Sequence, residues 1–279
     1  MVERLNNATG ALGALKYLQA STKDLTGAEG RLSSGLKVGR ARDDAAAFQS
    51  AAFMRGQGSS LNAVTLSLGR AESISDTAIT ATESISKLLT EMKGAAAQAM
   101  SSDWSDQQRA AFQQQYEDQM QTLQSFIRKA SFDGENTLDG SKPNGVSFIA
   151  DAEASQTLTL AGRNLLPGAG GIIVAPPSTS ALLTPQGAAD THALLEQSIA
   201  NIGDQLVEMS AERRRIEAQK GFVSRLADAL AAGVGRMVDT DLAAESALIQ
   251  ALQVKQELSA SAISIANAAP QALLSLFRG

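Results

Sequence analysis

The C-terminal part of the chain carries two adjacent rows of residues at helical spacing, and this feature constrains the fold more than any other. The first row steps by four and three residues without a break: Val238, Leu242, Glu245, Ile249, Leu252, Gln256, Ser259, Ile263 and Ala266. The second row runs beside it: Ala244, Leu248, Ala251, Lys255, Leu258, Ala262, Ile265 and Ala269. A single antiparallel helix covers one such seam. The pattern predicts a long helix from near Asp239 that packs against more than one partner.

The N-terminal part of the chain offers one of these partners. A 3-4 spacing runs through residues 3–34, along Ala11, Ala14, Leu18, Ser21, Leu25, Ala28 and Leu32. Neighbouring copies of the chain are the obvious source of the second partner. Burial inside the bundle of one monomer explains a wide apolar face equally well, because any core-facing helix shows such a stripe. The spacing alone does not choose between the two.

The middle of the chain is also mostly helical in pattern. Residues 34–43 read as a non-helical connection, after which Asp43 and Asp44 mark the start of a helix whose periodic stretch reaches Ala95. Ser105 or Asp106 caps the next helix.

Turns and a linker follow these helices. Residues 133–145 contain Asp-Gly twice and Lys-Pro-Asn-Gly once, which predicts turns. Alternating runs at 146–150 and 157–161 predict a β-hairpin. Residues 166–187 read as a linker rich in Gly, Pro, Ser and Thr, before helix resumes near Asp190 and continues to about Ala232. Gly233 and Gly235 punctuate the pattern there.

Composition narrows the class of function. Only eight Phe, two Tyr and one Trp occur, so the apolar content is mainly Ala and Leu, which suits long, thin helical layers. The net charge of −5 gives no basic face for nucleic acid, and the lack of cysteine excludes disulfides and thiol chemistry. We find no Sec-type signal pattern at the start and no apolar run long enough to cross a membrane, so no membrane insertion is expected.

Candidate chemical sites are few, and each has a plainer explanation. His192 is the only histidine and is expected at a helix surface rather than in a metal site. The glycines at 168, 170 and 171 lack the strand-to-helix context of a dinucleotide fingerprint. Residues 213–215 are three arginines that fan across a helix, so one can point at a neighbour while the others stay solvated. We therefore expect no enzyme, no metal and no cofactor.

Several segments together resemble bacterial flagellin. RLSSGLK at 31–37 and ARDDAA at 41–46 resemble the family's N-terminal signature, and SFDG at 131–134 resembles its turn after the second core helix. VDTDLAAE at 238–245 and ANAAPQALLSL at 266–276 resemble its C-terminal tail. The segments stand in the family's order, over roughly the first 135 and the last 90 residues.

The resemblance implies a mainly α fold, with long coiled-coil-like helices from both termini and a small β-hairpin region. It assigns residues 1–43 to an N-terminal inner-tube helix with its connection and residues 236–279 to a C-terminal inner-tube helix. Between them, residues 44–132 and 190–235 are the two parts of a rod-like core, and residues 133–189 are the β-hairpin and a short variable linker. It implies a structural filament subunit that is exported unfolded through the flagellar type III apparatus and is extracellular in the filament. The implied partners are the chain itself, an export chaperone on the C-terminal helix, and the hook-filament junction and cap proteins.

Two groups of residues are expected to carry the interactions. The apolar positions of both terminal helices and the apolar end of the chain are predicted to form the assembly interface: Leu18, Leu25, Leu32, Leu242, Ile249, Leu252, Ile263, Leu273, Leu276 and Phe277. The resemblance also aligns TEMKGAAAQ at 90–98 with the family segment QRVRELAVQ that an animal innate receptor reads. This segment is degenerate here, with Glu91, Lys93, Ala95 and Gln98 at the compared positions.

Some features depart from the family, and other functions stay open. The opening VERL differs from the usual small polar start, and only residues 135–189 are available for an outer domain, so none is expected. A hook-filament junction protein shares the N-terminal pattern but lacks the tail at 266–276. A secreted glycan-binding adhesin, or an enzyme on a helical scaffold, is the alternative from another class.

Overall fold

The computed structural model describes residues 9–168, 170–175 and 181–276, and most of these residues are helical. The helices are α1 (Thr9–Ser34), α2 (Ala45–Ala99), α3 (Asp106–Lys129), α4 (Pro185–Val238) and α5 (Leu242–Leu276). The strands are β1 (Ser131–Phe132), β2 (Glu135–Asn136), β3 (Val146–Ile149) and β4 (Thr157–Leu160). The mainly α fold is confirmed. None of the helices within the described residues is long and apolar enough to cross a membrane.

The strands form two small antiparallel pairs between α3 and α4. β1 pairs with β2, and β3 pairs with β4 so that Val146 lies opposite Leu160 and Ile149 opposite Thr157. The predicted hairpin at 146–150 and 157–161 is therefore confirmed. Phe148, Leu158 and Leu160 on this hairpin are buried, as the alternating pattern requires.

Side-chain caps determine where three of the helices begin. Asp44 accepts a hydrogen bond from the amide of Ala47 at the start of α2, and Asp241 accepts from Ala244 at the start of α5. Ser105 and Gln108 form a reciprocal capping box at the start of α3. The acidic residues at the predicted helix starts thus satisfy backbone N–H groups directly, in addition to complementing the helix dipole.

The predicted start of α4 near Asp190 is wrong, because the helix begins at Pro185. Thr184 is its cap: the Thr184 hydroxyl accepts a hydrogen bond from the amide of Gly187, and the Thr184 carbonyl accepts one from Ala188. Proline suits the first helical position, since its fixed φ is helical and no N–H is needed there. Thr184-Pro185 is therefore a helix start signal that the sequence contains. It lies in a stretch whose Gly and Ser content is typical of a linker.

The predicted end of α4 near Ala232 is also wrong, because the helix continues through Gly233 and Gly235 to Val238. A glycine within a helix costs only about 1 kcal/mol relative to alanine. Val234 and Val238 are buried in a small apolar cluster with Val38 and Ala51. This tertiary burial offsets the low helix propensity of the two glycines. α5 correspondingly begins at Leu242 rather than near Asp239.

The chain divides into two compact units, of which one is made of two separate segments of the chain. One unit comprises residues 1–56 together with 229–279, and the other comprises residues 57–228. The divisions fall within α2 and α4, not at the connections between helices. The five functional segments expected from the family resemblance therefore stay a prediction.

The unit of residues 57–228 has a continuous apolar core built from α2, α3 and α4. Its buried members include Ile85, Leu89, Met92, Tyr116, Leu123, Ile127, Leu195, Ile202 and Met209. The loop after the hairpin joins this core through Leu165 and Ile173, which are fully buried. Arg163 ties the same loop to α4, since its buried guanidinium contacts Glu212 at 2.9 Å and Gln205 at 2.8 Å.

Leu68 and Leu66 on α2 provide a matched test of burial in this unit. Leu68 is 0% exposed and Leu66 is 77% exposed. Leu68→Ala is expected to lower the free energy of unfolding by about 2–5 kcal/mol, because it removes buried methyl groups and leaves a cavity. Leu66→Ala should change it by no more than about 0.5 kcal/mol. Chemical denaturation of both variants decides the matter, and equal effects would contradict the assigned burial.

Candidate assembly surface

α1 and α5 pack against each other as an antiparallel helix pair inside the smaller unit. The Ser21 hydroxyl donates to the Leu252 carbonyl at 3.3 Å, and the Gln256 amide donates to the Thr22 hydroxyl at 3.1 Å. Toward the other end of the pair, the Arg31 guanidinium donates to Glu245 at 2.8 Å. These contacts place the first row of α5 against the predicted row of α1.

Backbone hydrogen bonds join the segment after the C-terminal end of α1 to the segment before the N-terminal end of α5. Leu36 and Asp239 form an isolated antiparallel bridge. Next to it, the amide of Lys37 donates to the Val238 carbonyl at 2.8 Å and the amide of Thr240 donates to the Gly35 carbonyl at 2.9 Å. Gly35 has a φ of 70°, a left-handed conformation that glycine adopts without steric cost and that ends α1.

The charged member of the first row, Glu245, is explained by this packing. Glu245 is buried, and its carboxylate lies 2.6 Å from the Arg31 guanidinium while also accepting from Thr240 at 3.4 Å. A buried carboxylate needs such partners, since an unpaired buried charge is strongly unfavourable. The sequence row contained Glu245 without revealing its partner, because Arg31 is more than two hundred residues away in the chain.

Most of the residues predicted for the assembly interface lie in this intrachain seam. Leu252 is buried, and four side chains beside it are half-buried, namely Leu18, Leu25, Leu32 and Ile249. Ile263 is also half-buried, whereas Leu242 is exposed. The side chains of Leu273 and Leu276, and the whole of Phe277, lie outside the described residues. Whether any of these positions contacts another copy of the chain stays a prediction.

The second row of α5 is exposed along its described length. Leu248, Leu258 and Ile265 are its large members, and Leu258 and Ile265 are 64% and 71% exposed. On α1, Leu12 and Leu15 are exposed as well. Burial of the second row within a monomer bundle is therefore not what the structure shows. We call these five leucine and isoleucine side chains the exposed row.

The α1–α5 seam buries little, which bears on its stability in a single chain. Among the described side chains of the two helices, the buried ones are Ser21, Ala28, Glu245 and Leu252. Helices depend mainly on tertiary burial for stability in water, and this seam supplies little of it.

We therefore expect amides of α1 and α5 to exchange rapidly in the free monomer and to become protected on polymerisation. Hydrogen exchange read by mass spectrometry, before and after assembly, measures this. Amides of α2 near Ile85 and Leu89 are the internal reference, because both side chains are fully buried and should stay protected in both states. Strong protection of α5 in the monomer would contradict the prediction.

The segment compared with the receptor-binding motif lies near the end of α2. Glu91 and Gln98 are exposed, and the Lys93 ammonium lies 3.4 Å from Glu196 on α4. Ala95 is only 6% exposed, so it offers almost no surface to another protein. The motif has a leucine at this position, and the receptor-binding role of the segment stays a prediction.

The arginine run on α4 has one member paired within the chain. Arg213 pairs with Asp76 and Glu72 on α2 and with Glu217 one turn along α4, and its hydrogen bond to Asp76 raises its pKa. Arg214 and Arg215 are exposed. The sequence predicts that one of the three arginines points at a neighbour, and for Arg213 this neighbour is an acidic group of the same chain. His192 lies half-buried within α4.

Comparison with known proteins gives matches along the whole chain. The family model "Bacterial flagellin N-terminal helical region" matches residues 5–143, and "Bacterial flagellin C-terminal helical region" matches residues 193–277. Flagellin FljJ of Caulobacter vibrioides is 35% identical, and a flagellin of Brucella melitensis is 29% identical, each over 100% of both chains. A crystal structure of Bacillus cereus flagellin is similar at 20% identity and a TM-score of 0.46, over 55% of this chain and 86% of that one.

Proposed function

Since the chain belongs to the bacterial flagellin family and is a structural subunit of the flagellar filament, we propose that it polymerises through the exposed row of α1 and α5. The observation that carries the proposal is the exposure of Leu258 and Ile265 on a helix whose other apolar row is already covered by α1. Large apolar side chains exposed along one side of a helix are typical of an interaction site. A helical homopolymer supplies the missing partner from copies of the same chain.

The difference in side-chain burial between the two units supports the same proposal. The unit of residues 57–228 has its own buried core, whereas α1 and α5 bury few side chains in one chain. We propose that the larger unit folds in the monomer and that polymerisation completes the packing of the terminal helices. The inner-tube and rod-core segments that the family resemblance implies are part of this proposal.

Export and external partners follow from the family and remain part of the proposal. Flagellin relatives form a filament that is extracellular, and we propose that this chain reaches it unfolded through the flagellar type III apparatus. An export chaperone that binds α5 would cover the exposed row before assembly, and the hook-filament junction and cap proteins would bound the growing filament. The relatives are structural proteins, which supports a role without catalysis.

Seeded assembly tests the proposed function. Purified protein mixed with short fragments of flagellar filaments should elongate them, and electron microscopy would show the growth. A junction protein would bind fragment ends without elongating them, and an adhesin would do neither. Protein that stays monomeric with intact seeds would contradict the proposal. Full-length similarity to flagellins favours neither of the other two functions.

A further inference from the structure

A positively charged pocket lies between the C-terminal end of α1 and the connection that follows it. The pocket has a volume of about 680 Å³. Four basic residues and one acidic residue line it, a formal charge of +3 in a chain whose net charge is −5: Arg31, Lys37, Arg40, Arg42 and Asp43. All of these residues belong to the smaller unit. The pocket is therefore positively charged in a protein whose net charge is negative.

Two of the four basic residues that line the pocket pair with a carboxylate of the chain, and two do not. Arg31 pairs with Glu245, but Arg42 is 3.9 Å from the Asp43 carboxylate, which also accepts from the backbone amides of Gly39 and Arg40 at 3.2 and 2.9 Å. The Lys37 ammonium donates to the Arg236 carbonyl at 3.4 Å. Within the part of the chain that the structure describes, neither Lys37 nor Arg40 has a carboxylate within 4.0 Å.

The pocket lies on the side of α1 that carries Leu12. At about 100° per residue, Gly30 lies on the opposite side of α1 from Ser21, which faces α5, and Leu12 lies on the same side as Gly30. Gly27 and Gly30 line the pocket, and a Cβ added at Gly30 would have no neighbour within 4 Å. A partner helix that runs along this side of α1 therefore meets no side chain at Gly30.

We propose that this pocket receives a carboxylate from α1 or α5 of a neighbouring copy of the chain. The proposal rests on the proposed polymerisation, and charge complementarity identifies the occupant. Copies with a net charge of −5 repel one another on average, so a pocket that stays positive after Arg31 pairs with Glu245 is the place where an acidic side chain is attracted. Asp24, Glu29 and Glu257 are the exposed carboxylates of these helices that neither pair with a basic residue nor cap a helix among the described residues.

Reversal of the pocket charge tests the proposal on the full-length protein. Arg40→Glu combined with Arg42→Glu should raise the critical concentration for seeded growth about tenfold at low ionic strength, because two attractions become repulsions. The difference should narrow at high salt, where charges are screened within about 3–10 Å. The same number of charges is reversed in the control, Arg214→Glu with Arg215→Glu, which leaves the pocket intact. Thermal unfolding of each monomer confirms that folding is preserved.

Second-site changes then identify the carboxylate. In the reversed-pocket background, one of Asp24→Lys, Glu29→Lys and Glu257→Lys should restore the wild-type critical concentration. An unchanged critical concentration, an equal effect of the control, or no restoration by any of the three would overturn the proposal. Growth of the wild type that requires inorganic phosphate, with this requirement lost in the reversed pocket, would assign the pocket to a free anion and overturn it as well. Failure of the wild type to elongate seeds would instead contradict the proposed function itself.

Discussion

Glutamate at both Leu258 and Ile265 is expected to abolish filament growth and to leave the thermal unfolding of the monomer unchanged. Both side chains are exposed in the single chain, so the monomer loses no buried contact. In a filament that buries the exposed row, each glutamate would be an unpaired charge in an apolar interface, at a cost of several kcal/mol. Two such charges correspond to more than about a thousandfold in the critical concentration. Seeded elongation, followed by light scattering and electron microscopy, measures the loss.

The matched control adds the same charges to α5 at exposed polar positions. Gln253→Glu with Ser264→Glu leaves the exposed row intact and should reduce growth far less.

Removal of residues 1–35 or of residues 240–279 should likewise give a soluble, folded monomer that does not polymerise. Normal filaments from the Leu258 and Ile265 double variant, or from either truncated chain, would show that the assembly surface lies elsewhere.

Activation of the animal innate receptor for flagellin is expected to be weak or absent. Glu91 stands where the receptor-binding motif has its first arginine, and its exposure means that the reversed charge faces a binding protein. Loss of one partner of a close charge pair costs about 2–5 kcal/mol, and the reversed charge adds repulsion. Ala95 is buried and contributes almost no apolar contact. The combined loss corresponds to more than about a thousandfold in affinity.

A reporter-cell assay on purified monomer, beside a flagellin that carries the intact motif, measures this difference. Glu91→Arg should recover at least about tenfold in potency, because it removes the repulsion and restores one favourable charge. Glu83→Arg is the control, since Glu83 is another exposed glutamate on α2 outside the segment. Wild-type potency equal to that of the motif-bearing flagellin would refute the prediction. An equal gain from both arginine variants would assign the effect to net charge.

The sequence by itself determined the helices, most of their boundaries and the hairpin. These features depend on contacts between residues close in the chain: side-chain rows at three and four positions, caps such as Ser105 with Gln108, and alternation along β3 and β4. Where the sequence-based boundaries were wrong, at Pro185 and Val238, local signals competed with one another. The glycine content near the end of α4 favoured a break, and burial of Val234 and Val238 overcame it.

Only the tertiary structure decided which face of each helix is covered. Two rows on α5 looked alike in sequence, yet Leu252 is buried against α1 and Leu258 is exposed. The partners of Glu245 and Arg213 lie far away in the chain, and the inward position of Ala95 depends on how α2 packs. A periodic pattern records that a face is apolar, whereas the choice of its partner is made by long-range packing, whose contacts leave no spacing in the sequence.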